Sequence, residues 1–228
     1  MRLTEVLNFR SLQGHATLTE KEDALRELTS ALLSGRSDEA KQKAYAALAK
    51  GNNERDVLDT IVEAVNIISD LQGLGQYDQA KSTSLESAIN AGLLSLEPWL
   101  LKSEGRFGVR VTVGPVGLTS GALLGLALSA SLRSIGFRAT NLKKTQTALD
   151  LLRNSEELGS DLVIPILPDD EQLRSFADAY ERGGFRNKFE VIPIASKLSE
   201  NVGVDMNSAR NPEEAISKAT QWALKNKK

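Results

Sequence analysis

The sequence contains no cysteine and a single histidine, His15. The first absence excludes disulfides, thiolate metal sites, iron–sulfur clusters and a cysteine nucleophile together. The second excludes a zinc site that needs several nitrogen or sulfur ligands. It also leaves a Ser-His-Asp triad only His15 to draw on, with no Gly-x-Ser-x-Gly elbow in the chain. No acid–base pair, activated nucleophile or metal cluster can be assembled from the residues present, so the chain is not expected to be an enzyme. Large charge of either sign is absent too. The formal net charge is -2, which gives no pull toward nucleic acid or an anionic membrane surface. The longest apolar-rich run, Ser120 to Ile135, is broken by serines and is too short to span a bilayer. The first ten residues, Met1 to Arg10, are amphipathic and carry an acid, unlike a secretory leader, so the cytoplasm is the expected location.

What is present is ordinary globular material. Of 228 residues, 41% are hydrophobic and 25% charged, enough for one large or two small packed domains and against long disorder. The first hundred residues have helical periodicity throughout. Thr19-Glu20-Lys21-Glu22 has the form of a capping box before an apolar stripe at Leu25, Leu28 and Leu32, and Ser34-Gly35 ends that helix. An alanine-rich helix over Asp38–Lys50 ends at Gly51. Asn53 caps a third, with its stripe at Val57, Leu58, Ile61, Val62, Val65 and Ile68. Gln72 to Tyr77 is a turn. A last helix is expected over Ser82–Leu101, distorted or broken by Pro98 just before Trp99. Ser103-Glu104-Gly105-Arg106 is a short polar hinge, which places a domain boundary between residues 1–103 and 107–228.

Beyond the hinge the pattern changes to strands alternating with helices. Strands are expected at Phe107–Val113, Phe137–Leu142, Asp161–Leu167 and Phe189–Ala195, with Val202–Met206 a candidate fifth. Helices are expected at Ala122–Ile135, Thr145–Leu158, from the cap Asp169 through Tyr180, and from Asn211-Pro212 to the C-terminal lysines. This alternation predicts a Rossmann-like, flavodoxin-like α/β domain with a five-stranded parallel sheet, following an all-helical N-terminal bundle. Ligands of such sheets sit at the carboxyl ends of the strands, so function is sought in the loops after the first, third and fourth strands.

The first of these loops is Gly114-Pro115-Val116-Gly117-Leu118-Thr119-Ser120-Gly121. It opens a helix, where free backbone N–H groups can cradle a phosphate, or where Thr119 or Ser120 can simply serve as N-cap. It matches neither a P-loop nor a strict dinucleotide fingerprint, so a flavin or nucleotide-phosphate site at 117–121 stands as one alternative. The small residues from Gly121 to Ser131 either bring the helix close to the sheet or leave a groove for a ligand tail. Tyr77 either covers a ligand face or staples its turn to the bundle. Glu86, Ser87 and Asn90 are polar residues of the last bundle helix that could face an inter-domain cleft. Asp169 and Asp170 have the look of a catalytic pair, but after Pro168 they read more simply as a cap and a first-turn acid.

The order of bundle, hinge and α/β domain resembles the corrinoid (cobalamin) carrier proteins over nearly the whole chain. Gly73 to Tyr77 falls at that family's capping turn, Phe107 to Gly114 at its first strand, and Ser131 to Phe137 at its helix end leading into strand two. The resemblance implies a non-catalytic carrier or sensor that presents a cobalamin-type cofactor to a partner such as a methyltransferase or a regulator. The family's Asp-x-His-x-x-Gly motif supplies the cobalt ligand and the carboxylate that orients it. Here the aligned positions are Pro115, Gly117 and Ser120, so a histidine ligand from this loop is excluded, and cobalamin, if carried, is held base-on or without a protein imidazole. Ile166-Leu167-Pro168 stands in place of the second motif, Ser-x-Leu, and Pro193-Ile194 in place of the third, a glycine pair. The positions implied for a cofactor are therefore Tyr77, Pro115, Val116, Gly117, Leu118, Thr119, Ser120, Ile166, Leu167 and Ala195. A cofactor-free regulatory or protein-interaction module on the same fold is the other alternative.

Overall fold

The computed structural model describes residues 17–117, 121–143, 147–195 and 206–226. Helices come first: α1 (Leu18–Ser34), α2 (Ser37–Ala49), α3 (Glu54–Gly73), α4 (Gln79–Leu94) and α5 (Glu97–Ser103). Each of the longer ones begins where the local chemistry dictates. Asn53 and Asp56 form a reciprocal capping box at α3, and Asp78 accepts from the Lys81 N–H at α4. At α1 the box is closed by Thr17 with Glu20, two residues before the expected Thr19. Both threonines stand three residues before a glutamate, and spacing alone did not choose between them. The single helix expected over Ser82–Leu101 is two. The break falls at Ser95-Leu96, because Pro98 lacks an N–H and fits only the first turn of a new helix, α5.

A parallel sheet follows, with strands β1 (Arg110–Pro115), β2 (Arg138–Asn141), β3 (Leu162–Leu167), β4 (Glu190–Val191) and β5 (Ile194–Ala195). The helices are α6 (Gly121–Ile135), α7 (Ala148–Glu157), α8 (Asp170–Arg182) and α9 (Pro212–Asn226). The order is β2-β1-β3-β4, with β5 also paired to β3. Strand order reverses between β1 and β3, so the switch point lies above Pro115 and Ile166.

Two strands differ from expectation. The first strand begins at Arg110 rather than Phe107, because Gly105 and Gly108 adopt left-handed φ and close a turn there. Phe107 stays with the sheet by stacking on Phe137, with ring centroids 4.7 Å apart. The strand expected over Phe189–Ala195 is split at Ile192-Pro193. The Val163 carbonyl accepts from the Ile192 N–H, so the two-residue period turns Pro165 toward the same edge. Pro165 has no N–H to continue the ladder. Residues 202–205 lie outside the described segments. Beyond β5, Ala209 makes a single parallel bridge with Ile194.

Helix α6 joins the two parts. Its Leu123, Leu126, Ala127 and Ala130 belong to the core of α1–α5. Its Leu128 and Leu132 belong to the sheet core with Val111, Ile164 and Ile192. A second sheet core, with Val116, Leu152, Val163 and Phe176, lies under α7 and α8. A helix apolar around most of its surface must be covered on both sides. The α1–α5 layer supplies the outer cover.

Candidate functional site

Small residues let α6 approach the sheet. A Cβ on Gly121 would lie 3.0 Å from Pro115 and 3.1 Å from Ile166. One on Gly125 would lie 2.6 Å from the Asn141 Oδ1. Close packing is therefore the role of these glycines: among the described residues, Gly121 and Gly125 bring α6 against Pro115, Asn141 and Ile166.

The residues aligned with the cobalt-binding motif are placed accordingly. Pro115 and Val116 are buried, and Gly117 is exposed with φ +87°. That backbone strains any residue with a Cβ, and glycine offers no ligand. Leu118, Thr119 and Ser120 lie outside the described residues, as does His15. Ile166 sits in the core under α6, and Leu167 and Ala195 in the core under α7 and α8. Val116, Ile166, Leu167 and Ala195 thus contribute their side chains to packing rather than to a ligand face. These residues do not fit a corrinoid whose tail is inserted into the sheet and whose cobalt is held by an imidazole. They do not oppose a group laid across the carboxyl edge.

Tyr77 is half-buried and packs on the α1–α5 core. Its position relative to the sheet follows from α3. Arg55, in the first turn of α3, donates to the Ser134 hydroxyl at the far end of α6, at 3.2 Å. From there α3 runs back along α6, so the turn carrying Tyr77 is directed toward the Gly121 end. Asp169 accepts from the Gln172 N–H at 2.9 Å, which makes it the cap of α8. Among the described residues no group of three or more His, Cys, Asp or Glu could hold a metal ion. No described helix is long and apolar enough to cross a membrane.

A separate cleft of about 210 Å³ opens between α4–α5 and α6–β2. Asn90, expected from its helix face, is in it. Glu97, Arg133, Asn141 and Lys143 were missed. They come from α5, α6, the end of β2 and the loop just after it, and only the polar Asn141 ending a short strand hinted at one of them. Arg133 grips the Glu97 carboxylate with two bonds, at 3.0 and 2.6 Å, and reaches Glu104 at 3.5 Å. The Arg133 hydrogen bonds, more than its charge, hold the Glu97 carboxyl below the usual range against the opposing effect of burial. The same pairing raises the guanidinium. The pair ties α5 to α6 and leaves Arg133 engaged.

No protein-family model matches the chain, and no curated protein matches it. Solved structures do. The monomethylamine corrinoid protein of Methanosarcina barkeri superposes with a TM-score of 0.65 at 16% identity, over 89% of this chain and 99% of that one. A cobalamin-binding protein of Desulfitobacterium hafniense gives a TM-score of 0.47 at 15% identity, over 87% and 98%. The methanol:cobalamin methyltransferase complex of Methanosarcina barkeri gives 0.46 at 11%, over 100% and 95%. From the helical layer through the parallel sheet, this chain has the fold of a corrinoid protein.

Proposed function

We propose that this chain is a non-catalytic carrier or sensor of the corrinoid type, working in the cytoplasm with a partner protein of the methyltransferase or regulator class. It takes a cobalamin-type cofactor without a protein ligand to cobalt. The observation that carries the reading is the fold shared with the monomethylamine corrinoid protein over nearly the full length of both chains. The switch point above Pro115 and Ile166, and the Tyr77 turn directed toward that end, support a site at the carboxyl edge. Cobalamin supplies, when bound, a cobalt atom able to accept and release a methyl group. This chain's residues would provide the edge: the exposed Gly117 backbone below, and the Tyr77 turn above. The division into residues 1–103 and 107–228 is part of the same proposal. Limited proteolysis is expected to cut first near Ser103–Arg106.

The visible absorbance of the chain after incubation with cobalamins and gel filtration tests the reading. A co-eluting base-on spectrum, unchanged in His15→Ala, is expected. A protein-imidazole spectrum that depends on His15 would refute it. Complete absence of binding favours the second reading, a cofactor-free interaction module. The filled space under Gly121, between Pro115 and Ile166, is the observation on that side. Such a module retains a stable complex with a partner.

A further inference from the structure

We propose that the amino edge of the sheet, at Arg106, Arg110 and Arg138, is a docking surface for an acidic segment of a partner protein. The observation that carries it is positive charge that the fold leaves unbalanced. From Glu97 to Lys143 the sequence holds only two carboxylates, Glu97 and Glu104. Both are engaged by Arg133. Arg110 opens β1, Arg138 opens β2, and the two are register partners. They start from backbones about 4.8 Å apart, so their charges add to one local field. Asp161 stands 4.0 Å from the Arg110 Nε, but that carboxylate already accepts the Arg110 backbone N–H at 2.8 Å. Among the described residues, Arg106 and Arg138 form no ion pair and no side-chain hydrogen bond. All three arginines are exposed.

Arg106 joins the other two through the turn before β1. A Cβ on Gly136 would lie 2.8 Å from the Arg106 Cβ, and one on Gly105 would lie 3.2 Å from the Arg138 Nε. Each arginine stem therefore passes beside the glycine of the other's turn. Phe107 and Phe137, their neighbours in sequence, stack and hold the two segments together. The chemistry narrows the occupant. A guanidinium fork suits carboxylates and phosphates alike. A built phosphate site adds free backbone N–H groups. Here the N–H groups of Phe107, Gly108 and Arg138 are taken by carbonyls, and that of Arg110 by Asp161. What remains is side chains on an open surface, which matches carboxylates spread along a protein segment. The formal net charge of -2 gives nucleic acid no long-range attraction. The arginines lie at the opposite end of β1 from Pro115. A partner held there leaves the carboxyl edge open.

The test is NMR of the isotopically labelled full chain, titrated with a hexaglutamate peptide and with two phosphate probes, tripolyphosphate and single-stranded hexathymidylate. Hexaglutamate is expected to shift the backbone amides of Arg106, Arg110 and Arg138. Its affinity should fall as ionic strength rises from about 0.02 to about 0.2 M. Arg106→Glu with Arg138→Glu should weaken it at least about tenfold. Lys41→Glu with Lys225→Glu makes the same change in net charge on exposed residues of α2 and α9, and should leave the affinity unaltered. Should the reversed arginine pair fail to fold, Arg106→Gln with Arg138→Gln decides, with a weaker but measurable loss expected. No hexaglutamate shift at these amides, an equal loss in the two charge-reversed pairs, or tighter binding of either phosphate probe would overturn the proposal. The last outcome would reassign the patch to a phosphate-bearing partner. The inference is independent of the corrinoid reading. Hexaglutamate bound and cobalamin refused sinks only that reading, and the reverse outcome sinks only this one.

Discussion

The helical layer and the carboxyl edge of the sheet follow different rules. In the helices, local preference and packing agree. Thr17, Asn53 and Asp78 cap first turns, and most of the apolar stripes of α1 and α3 are buried, with Leu25 and Val62 half-buried at their margins. At the edge they conflict. Pro165 occupies a central strand, a ladder is interrupted beside it, Gly117 holds a left-handed φ, and the Asn141 amide has no partner. Departures of this kind concentrate where a surface is shaped for something other than folding. The edge is therefore the part of the molecule to probe for function, and the helices the part to probe for stability.

That contrast can be broken by mutation. The largest effect is expected in the sheet core under α6, the helix that joins the two regions. Leu132→Ala in α6, fully buried, should cost about 3 kcal/mol in urea unfolding. A loss below about 1 kcal/mol would mean that the site collapses readily. Next is the tie between α5 and α6. Arg133→Met should cost about 2 kcal/mol, because a charged, partly buried hydrogen-bonded pair is lost. It should also flatten the acid dependence of stability. The folded Glu97 carboxyl is depressed, so its contribution is complete above the unfolded carboxylate value of about 4.3 and is lost as pH falls through the lower folded value. Urea midpoints at several acid pH values check this.

Smaller effects belong to the edge. Gly117→His should cost about 1–2 kcal/mol, because a Cβ is placed at φ +87°. It should not create an imidazole–cobalt spectrum, since Pro115 supplies no orienting carboxylate. A restored ligand-type spectrum would show that the loop rearranges freely. Gly125→Ala should change stability least. The helix gains up to about 1 kcal/mol in propensity while Asn141 is displaced. An unchanged urea midpoint would separate the edge from the core most sharply.

Much of the fold was legible because it rests on local chemistry. The 3.6-residue stripes of Leu28 and Leu32, or of Leu58, Ile61 and Val65, need no tertiary context to be read. Nor do the stops at Gly35 and Gly136 or the caps at Asn53 and Asp169. The edge positions could be aligned with a family motif, and the missing imidazole at Gly117 was evident from the residues alone. Other features were ambiguous within the sequence. Thr17 and Thr19 present the same capping spacing, and Ile192-Pro193 reads as unbroken strand until Pro165 is set beside it.

The sequence by itself determined the change from a helical half to alternating strands and helices, and the absence of a histidine from the 115–120 loop. Those follow from periodicity and side-chain chemistry, properties of single residues or near neighbours. Only the tertiary structure decided that Arg133 meets Glu97 across 36 residues, that Pro165 interrupts the ladder to β4 and β5, and that Asn90, Asn141 and Lys143 share one cleft. These depend on which elements pack together. That choice is made by burying α6 on both faces at once, a non-local energy that no window of sequence contains.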